Sequence, residues 1–202
     1  SCSDLRAEFA GPGEKILMHI SNFRPVKRTG DVVDIFARVS AKVPTKLLLV
    51  GEGPDLPKIQ QKVQKLGLAD RVHFLGKQDD VAHVISIADL MLLPSEKESF
   101  GLVGLEAMAC GVPTIGSTAG GIPELVQHGI TGYLSPIGQT EDMADNAIKL
   151  LTDDNLYRSF REAGLQRAHT LFCDEVITKQ YEDIYYRVLG LPTRAPVTAC
   201  QA

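Results

Sequence analysis

Apolar positions along the chain follow two rhythms that alternate from end to end. Short runs, KILMHIS (15–21), KLLLVGEG (46–53), RVHFLG (71–76), DLMLLPS (89–95), PTIGS (113–117) and GYLSP (132–136), read as strands buried on both faces. Between them the apolar residues recur at helical spacing. Residues 30–43 carry Val32, Val33, Ile35, Phe36, Val39 and Val43 on one face, with Pro44 as punctuation. Helices are likewise predicted over 55–67, where Gly67 is the stop, and over 80–88 and 102–110, the last with Ser99 as a cap and Gly111 as its end. Further helices are predicted over 121–127, 139–153, 154–169 and 174–188. Strand followed by helix, six times, predicts an α/β fold: a Rossmann-like, doubly wound parallel sheet with helices on both faces. No internal repeat is visible. Residues 1–14 read as an N-terminal segment or linker and 15–188 as one domain. The tail 189–202, with small residues, prolines and no apolar period, reads as disordered.

Composition adds limits to this picture. The chain has 202 residues, 44% hydrophobic and 23% charged, which fits one soluble globular domain. A net charge of −4 argues against a general nucleic-acid binder, though a local basic pocket for a small anion stays open. No apolar run is long enough for a membrane-spanning helix, and the polar N-terminus lacks a signal-peptide core. Cys2, Cys110, Cys173 and Cys200 form no C-x-x-C pair, so reduced thiols in a cytoplasmic protein are expected, without a zinc site.

Sheets of this class bind ligands beyond the carboxyl ends of their strands, which directs attention to the loops 21–29, 51–54, 76–79, 95–101, 117–121 and 135–138. The first, SNFRPVKRTG, places Arg24, Lys27 and Arg28 within five residues, enough cationic charge to neutralise a diphosphate, or else a solvated basic turn. VGEGPD carries one G-x-G, read as a tight turn first and a close ligand approach second; no P-loop pattern occurs. SEKESFG runs straight into a helix N-terminus, where the backbone N–H groups of Phe100 to Val103 make an anion site and Gly101 allows close approach. Glu98 precedes that helix. Glu106 lies inside it among apolar neighbours that predict burial, so it needs donors such as sugar hydroxyls, unless it is an ion-paired or exposed stripe residue. The double glycine in STAGGIPELV suits a ligand or a bare turn equally. The five histidines form no catalytic set; only His19, near the end of the first strand, stands close to the ligand edge.

Taken in order, SNFRPVKR, LLLVGEGPD, RVHFLG, the pair Glu98-x₇-Glu106 and GGIPELV resemble the C-terminal nucleotide-sugar domain of the family-4 retaining glycosyltransferases, over about residues 15–188. Each motif alone is weak; the ordered set is specific. The resemblance implies half of a GT-B fold, with an acceptor domain expected before residue 1. It implies that Glu98 faces the donor sugar and Glu106 the ribose. The backbone from Ser99 through Phe100, Gly101 and Leu102 to Val103 would then hold the sugar and diphosphate. Where the family pattern has Arg five residues before Lys, this chain has Asn22 before Lys27, so Arg24 or Arg28 is expected to supply the second charge. Gly53 falls in the G-x-G turn of the donor half, and Lys77 and Gln78 match the region that meets the base. The string HISNFRPVKR narrows the resemblance to members that transfer N-acetylglucosamine from UDP-N-acetylglucosamine to L-malate in bacillithiol biosynthesis.

The implied reaction is glycosyl transfer with a diphosphate leaving group. Its charge would be met by Arg24, Lys27 or Arg28 and the helix N-terminus, each such donor contributing about 3 kcal/mol, with no cofactor and no metal. UDP or the donor sugar and L-malate are the expected partners, without nucleic acid or membrane; self-association into a homo-oligomer stays open. The chain by itself is expected to bind UDP weakly without turnover. Two other readings remain: a sugar-nucleotide hydrolase or epimerase of the same shape, and a non-catalytic nucleotide-binding module.

Overall fold

The structure, a computed structural model, describes residues 2–171; the helix expected over 174–188 and the tail 189–202 lie outside the described residues. Six strands, β1 (Lys15–Ile20), β2 (Thr45–Val50), β3 (Val72–Gly76), β4 (Leu90–Leu93), β5 (Thr114–Ser117) and β6 (Gly132–Ser135), form one sheet in the order β3-β2-β1-β4-β5-β6. Every neighbouring pair is parallel.

Side chains of successive strand residues point to opposite faces, and both faces are apolar, as a parallel sheet requires. Leu17, Leu47, Leu49, Leu90, Leu92 and Ile115 pack on one side against α2 (Thr29–Ser40), α3 (Leu56–Lys65) and α7 (Thr140–Thr152). Ile16, Met18, Leu48, Val50, Met91 and Leu93 pack on the other against α4 (Val81–Ile85), α5 (Leu102–Ala109) and α6 (Ile122–Leu125). Each fully buried aliphatic side chain contributes about 1.5–3 kcal/mol of stability. The helix α8 (Asp154–Leu171) follows α7 and packs on α5. No helix among the described residues is long and apolar enough to cross a membrane.

Among the described residues the strands and helices fall where the sequence pattern places them, with ends that shift by a few residues. One element is additional: α1 (Cys2–Phe9) lies in the segment read as a linker. Arg6 pins it to the amino-terminal edge of the sheet, donating to the Ile87 and Glu14 carbonyls and pairing with Asp89 at 2.8 Å. Asp89 in turn accepts from the Ile16 amide.

The strand order reverses direction between β1 and β4. From β1 the chain winds outward through β2 and β3; from β4 it winds the other way through β5 and β6. The loops after β1 and β4 therefore diverge, opening a crevice at the carboxyl edge.

Candidate functional site

A cleft of about 420 Å³ occupies that crevice. His19, Ile20, Leu93 and Ser95 line it from the strand ends; Ser21, Asn22 and Lys27 come from the loop after β1, and Glu98 to Val103 from the loop and helix after β4.

The loop after β1 is held from below. His19 is completely buried and shares the parity of Leu17, so it faces α2. Its Nδ1 lies 2.8 Å from the Leu92 carbonyl, which can only accept, so Nδ1 carries the proton and Nε2 is the acceptor. The Ser21 hydroxyl, 2.9 Å away, donates to Nε2 and accepts from the Phe23 amide. Thr29 Oγ1 stands at 3.3 Å from the same nitrogen. Burial first of all, and then the Lys27 charge, lower the His19 pKa to about 4, against the opposing effects of the Leu92 carbonyl and Glu98. Phe23 is buried and has φ +39°, left-handed backbone that a bulky residue seldom adopts. Beyond it, Pro25–Lys27 make a single 3₁₀ turn that delivers Lys27 to the cleft.

The opposite wall is built from SEKESFG and the start of α5. Gly101 takes the N-cap position of α5 with φ +85°, without any side-chain cap. Ser99, expected to cap this helix, does not: the left-handed turn at Gly101 sets the boundary two residues later, and Ser99 lines the cleft instead. Helical bonding begins at the Gly104 amide, which donates to the Gly101 carbonyl at 2.7 Å. Leu102 and Val103, the first residues of the helix, line the cleft, and a helix N-terminus is an arrangement that attracts anions. Behind this loop sits the double glycine. A Cβ on Gly120 would lie 1.6 Å from the Glu98 carbonyl oxygen, and one on Gly121 2.6 Å from that of Ser99. The two glycines thus accommodate the backbone of the cleft wall rather than a ligand.

The two walls are tied together. The Glu96 amide donates to the Val26 carbonyl at 2.8 Å, and Lys27 Nζ lies 2.6 Å from Glu98 Oε2. Both side chains keep about a fifth of their surface open, at 22% and 17%. A cation and a carboxylate therefore stand side by side at the mouth, next to the α5 amides.

The structure brings together Asn22, Lys27, Glu98, Ser99, Phe100, Gly101, Leu102 and Val103 of the residues expected from sequence. The others stand outside the cleft lining. Arg24 is exposed before the 3₁₀ turn. Arg28 is engaged elsewhere, with its Nε 2.7 Å from Asp31 and its Nη1 3.7 Å from Glu96. Gly53 packs against the Asn22 backbone. Lys77 is exposed, and Gln78 Nε2 donates to the Leu75 carbonyl. Glu106 differs from the burial expected for it. Ala107 and Met108 carry the buried face of α5, whereas Leu102, Glu106 and Ala109 form its exposed stripe, so no desolvation cost falls on the carboxylate. Sequence reasoning singled out His19 only by its position and missed Ser21 and Ser95. The parity of the first strand, in which His19 and Ser21 follow Leu17 on one face, was the available signal. Among the described residues no group of three or more His, Cys, Asp or Glu side chains is placed to hold a metal ion.

Comparison with known proteins places these features. A family model described as glycosyl transferases group 1 matches residues 4–167. The N-acetyl-alpha-D-glucosaminyl L-malate synthase of Bacillus anthracis is 55% identical over 188 residues, covering 93% of this chain and 49% of its own length. Among solved structures, Anabaena HepE in complex with UDP and glucose superposes with a TM-score of 0.85 at 27% identity, covering 92% of this chain and 52% of that one. Sucrose-phosphate synthase from Thermosynechococcus elongatus gives 0.82 at 32% identity, covering 93% and 49%. The chain thus spans about half the length of these three relatives.

Proposed function

The chain belongs to the glycosyl transferases group 1 family, and on that premise we propose that it is the donor-binding half of a retaining, family-4 transferase that moves N-acetylglucosamine from UDP-N-acetylglucosamine to L-malate in bacillithiol biosynthesis. The observation that carries this reading is the pairing of Lys27 with Glu98 at the mouth of a cleft lined by the first turn of α5. The diphosphate of the donor takes the place beside Lys27 and the α5 amides. Glu98, on the same wall, accepts hydrogen bonds from the sugar hydroxyls. Glu106, exposed one turn further along the helix, reaches the ribose, and Lys77 and Gln78 stand near the base.

When the anomeric C–O bond breaks, negative charge grows on the β-phosphate. Lys27 and the helix amides are already in place to stabilise it, which lowers the barrier without reorganisation. The proposal assigns this work to the chain itself, with no metal or cofactor. Of the three cations in the loop, Arg24 is the better second partner, because Arg28 is held by Asp31 and Glu96. The acceptor would be bound by protein outside this chain, and the 55% identity to the malate synthase supports malate as that acceptor. A cytoplasmic location follows from a nucleotide-sugar donor.

Titration calorimetry on this chain with UDP, UDP-N-acetylglucosamine, ADP and GDP tests the reading. Binding of the uridine ligands, weakened by Lys27→Ala, is expected. Binding of none of them, or equal binding of all nucleotides with no effect of Lys27→Ala, would overturn it.

A further inference from the structure

We propose that His19 is a positioning residue for the diphosphate-binding loop, acting as a buried strut that fixes where Lys27 stands. The register of β1 on β4 runs Leu17 to Leu90 and Met18 to Met91. The ladder between the two strands ends there, and at the next step a side chain makes the connection: His19 Nδ1–H bonds the Leu92 carbonyl at 2.8 Å. The other ring nitrogen then turns the same connection toward the loop. Nε2 accepts from Ser21 Oγ at 2.9 Å, and Ser21 Oγ accepts from the Phe23 amide at 3.2 Å. The His19 ring also lies parallel to that of Phe23, with centroids 6.4 Å apart and planes within 15°.

This chain of contacts ends at Phe23, whose backbone is in the left-handed region. Such a conformation persists in a bulky residue only when its surroundings hold it. From Phe23 the path to Lys27 is short and stiff: an extended Arg24, a proline, and a 3₁₀ turn closed by the Lys27 amide on the Arg24 carbonyl. A change at Phe23 therefore moves Lys27 as a unit. A leucine at position 19 would fill about the same space with neither a donor nor an acceptor. Only the Nδ1–H tautomer joins a strand carbonyl below to a hydroxyl above.

The inference rests on the cleft being the nucleotide-sugar site, and its test has one arm that does not. In the ligand-free chain, His19→Phe keeps an aromatic ring, larger than the imidazole, but removes both hydrogen bonds, and Ser21→Ala removes only the upper link. Amide exchange at Phe23 is expected to rise about tenfold or more in both, with the core strands unchanged. In the ligand arm, the cost of Lys27→Ala in UDP affinity is measured in wild type and in the His19→Phe background. A loss of about 30-fold in wild type should shrink to about fivefold or less, because a lysine already misplaced contributes little. A residue that merely supports the fold would leave the two losses equal. Unchanged exchange at Phe23, or an additive cycle, overturns the proposal. Absence of UDP binding in wild type would sink the functional reading, and the exchange arm would still decide this one.

Discussion

Lys27 and Glu98, 71 positions apart in the chain, meet at 2.6 Å across the point where the sheet reverses its winding. A partly exposed pair of this kind adds about 0–1 kcal/mol to stability, so its importance lies in what a ligand must displace. A nucleotide sugar offers Lys27 a diphosphate and Glu98 hydroxyl donors, so both partners are compensated. Bare UDP offers Glu98 nothing and brings negative charge close to it. Lys27→Ala should weaken both ligands, by about 10- to 100-fold. Glu98→Gln should separate them: UDP binding unchanged or tighter, UDP-N-acetylglucosamine about tenfold weaker. Competition titrations on the two variants measure both ratios. A Glu98→Gln variant that loses UDP and the sugar nucleotide equally would refute this account of the pair.

The sheet, its helices and most of one cleft wall were legible because their signals are local. Uninterrupted apolar strands such as LLLV and LMLL have few alternatives, and SEKESFG followed by an apolar run marks a polar loop leading into a helix N-terminus. What escaped depends on contacts between distant segments. The burial expected for Glu106 followed from its neighbours, but α5 carries small residues on both sides and its buried face is set by Leu93, Ile122 and Leu125 of other elements. The helix α1 escaped because eight residues have little intrinsic helicity; it is held by Arg6 reaching Asp89, 83 positions away. The sequence left Arg24 and Arg28 as equal candidates for the second charge beside Lys27, and only the fold shows Arg28 committed to Asp31.

Glu106 is exposed on α5, so its removal should leave the fold alone. Glu106→Ala is expected to shift unfolding free energy by no more than about 0.5 kcal/mol, while UDP affinity falls about tenfold. Uridine diphosphate and its 2′,3′-dideoxy analogue should differ in wild type and bind alike in the variant. A difference that survives Glu106→Ala would assign the ribose to another residue.

Gly120 holds the cleft wall by what it lacks. Its φ is +52°, and a Cβ would sit 1.6 Å from the Glu98 carbonyl oxygen, an overlap with backbone that no rotamer relieves. Gly120→Ala must push the 98–101 loop outward and so carry Glu98 away from Lys27. Destabilisation of about 2–4 kcal/mol is expected, together with loss of UDP binding under conditions where the variant remains folded. Gly129, also at positive φ but with open space around it, is the control: Gly129→Ala should lose only about 1 kcal/mol and retain the ligand.

His19 also gives the fold a specific sensitivity to acid. Burial holds its pKa at about 4, below the ordinary value of 6.5, so the folded state favours the neutral ring and the unfolded chain takes up the proton first. The resulting stability is fully present above pH 6.5 and is lost as pH falls toward 4, amounting to about 3 kcal/mol over that window. A proton on Nε2 would also turn Ser21 from donor to acceptor and leave the Phe23 amide to compete for it. In His19→Phe this term is absent. Urea denaturation of both proteins between pH 7 and 4 should therefore show the wild type losing about 3 kcal/mol more than the variant. Parallel pH profiles would mean that the ring takes up its proton as readily in the folded protein as in the unfolded chain, and the assignment of Nδ1 as its sole proton carrier over this range would fall with them.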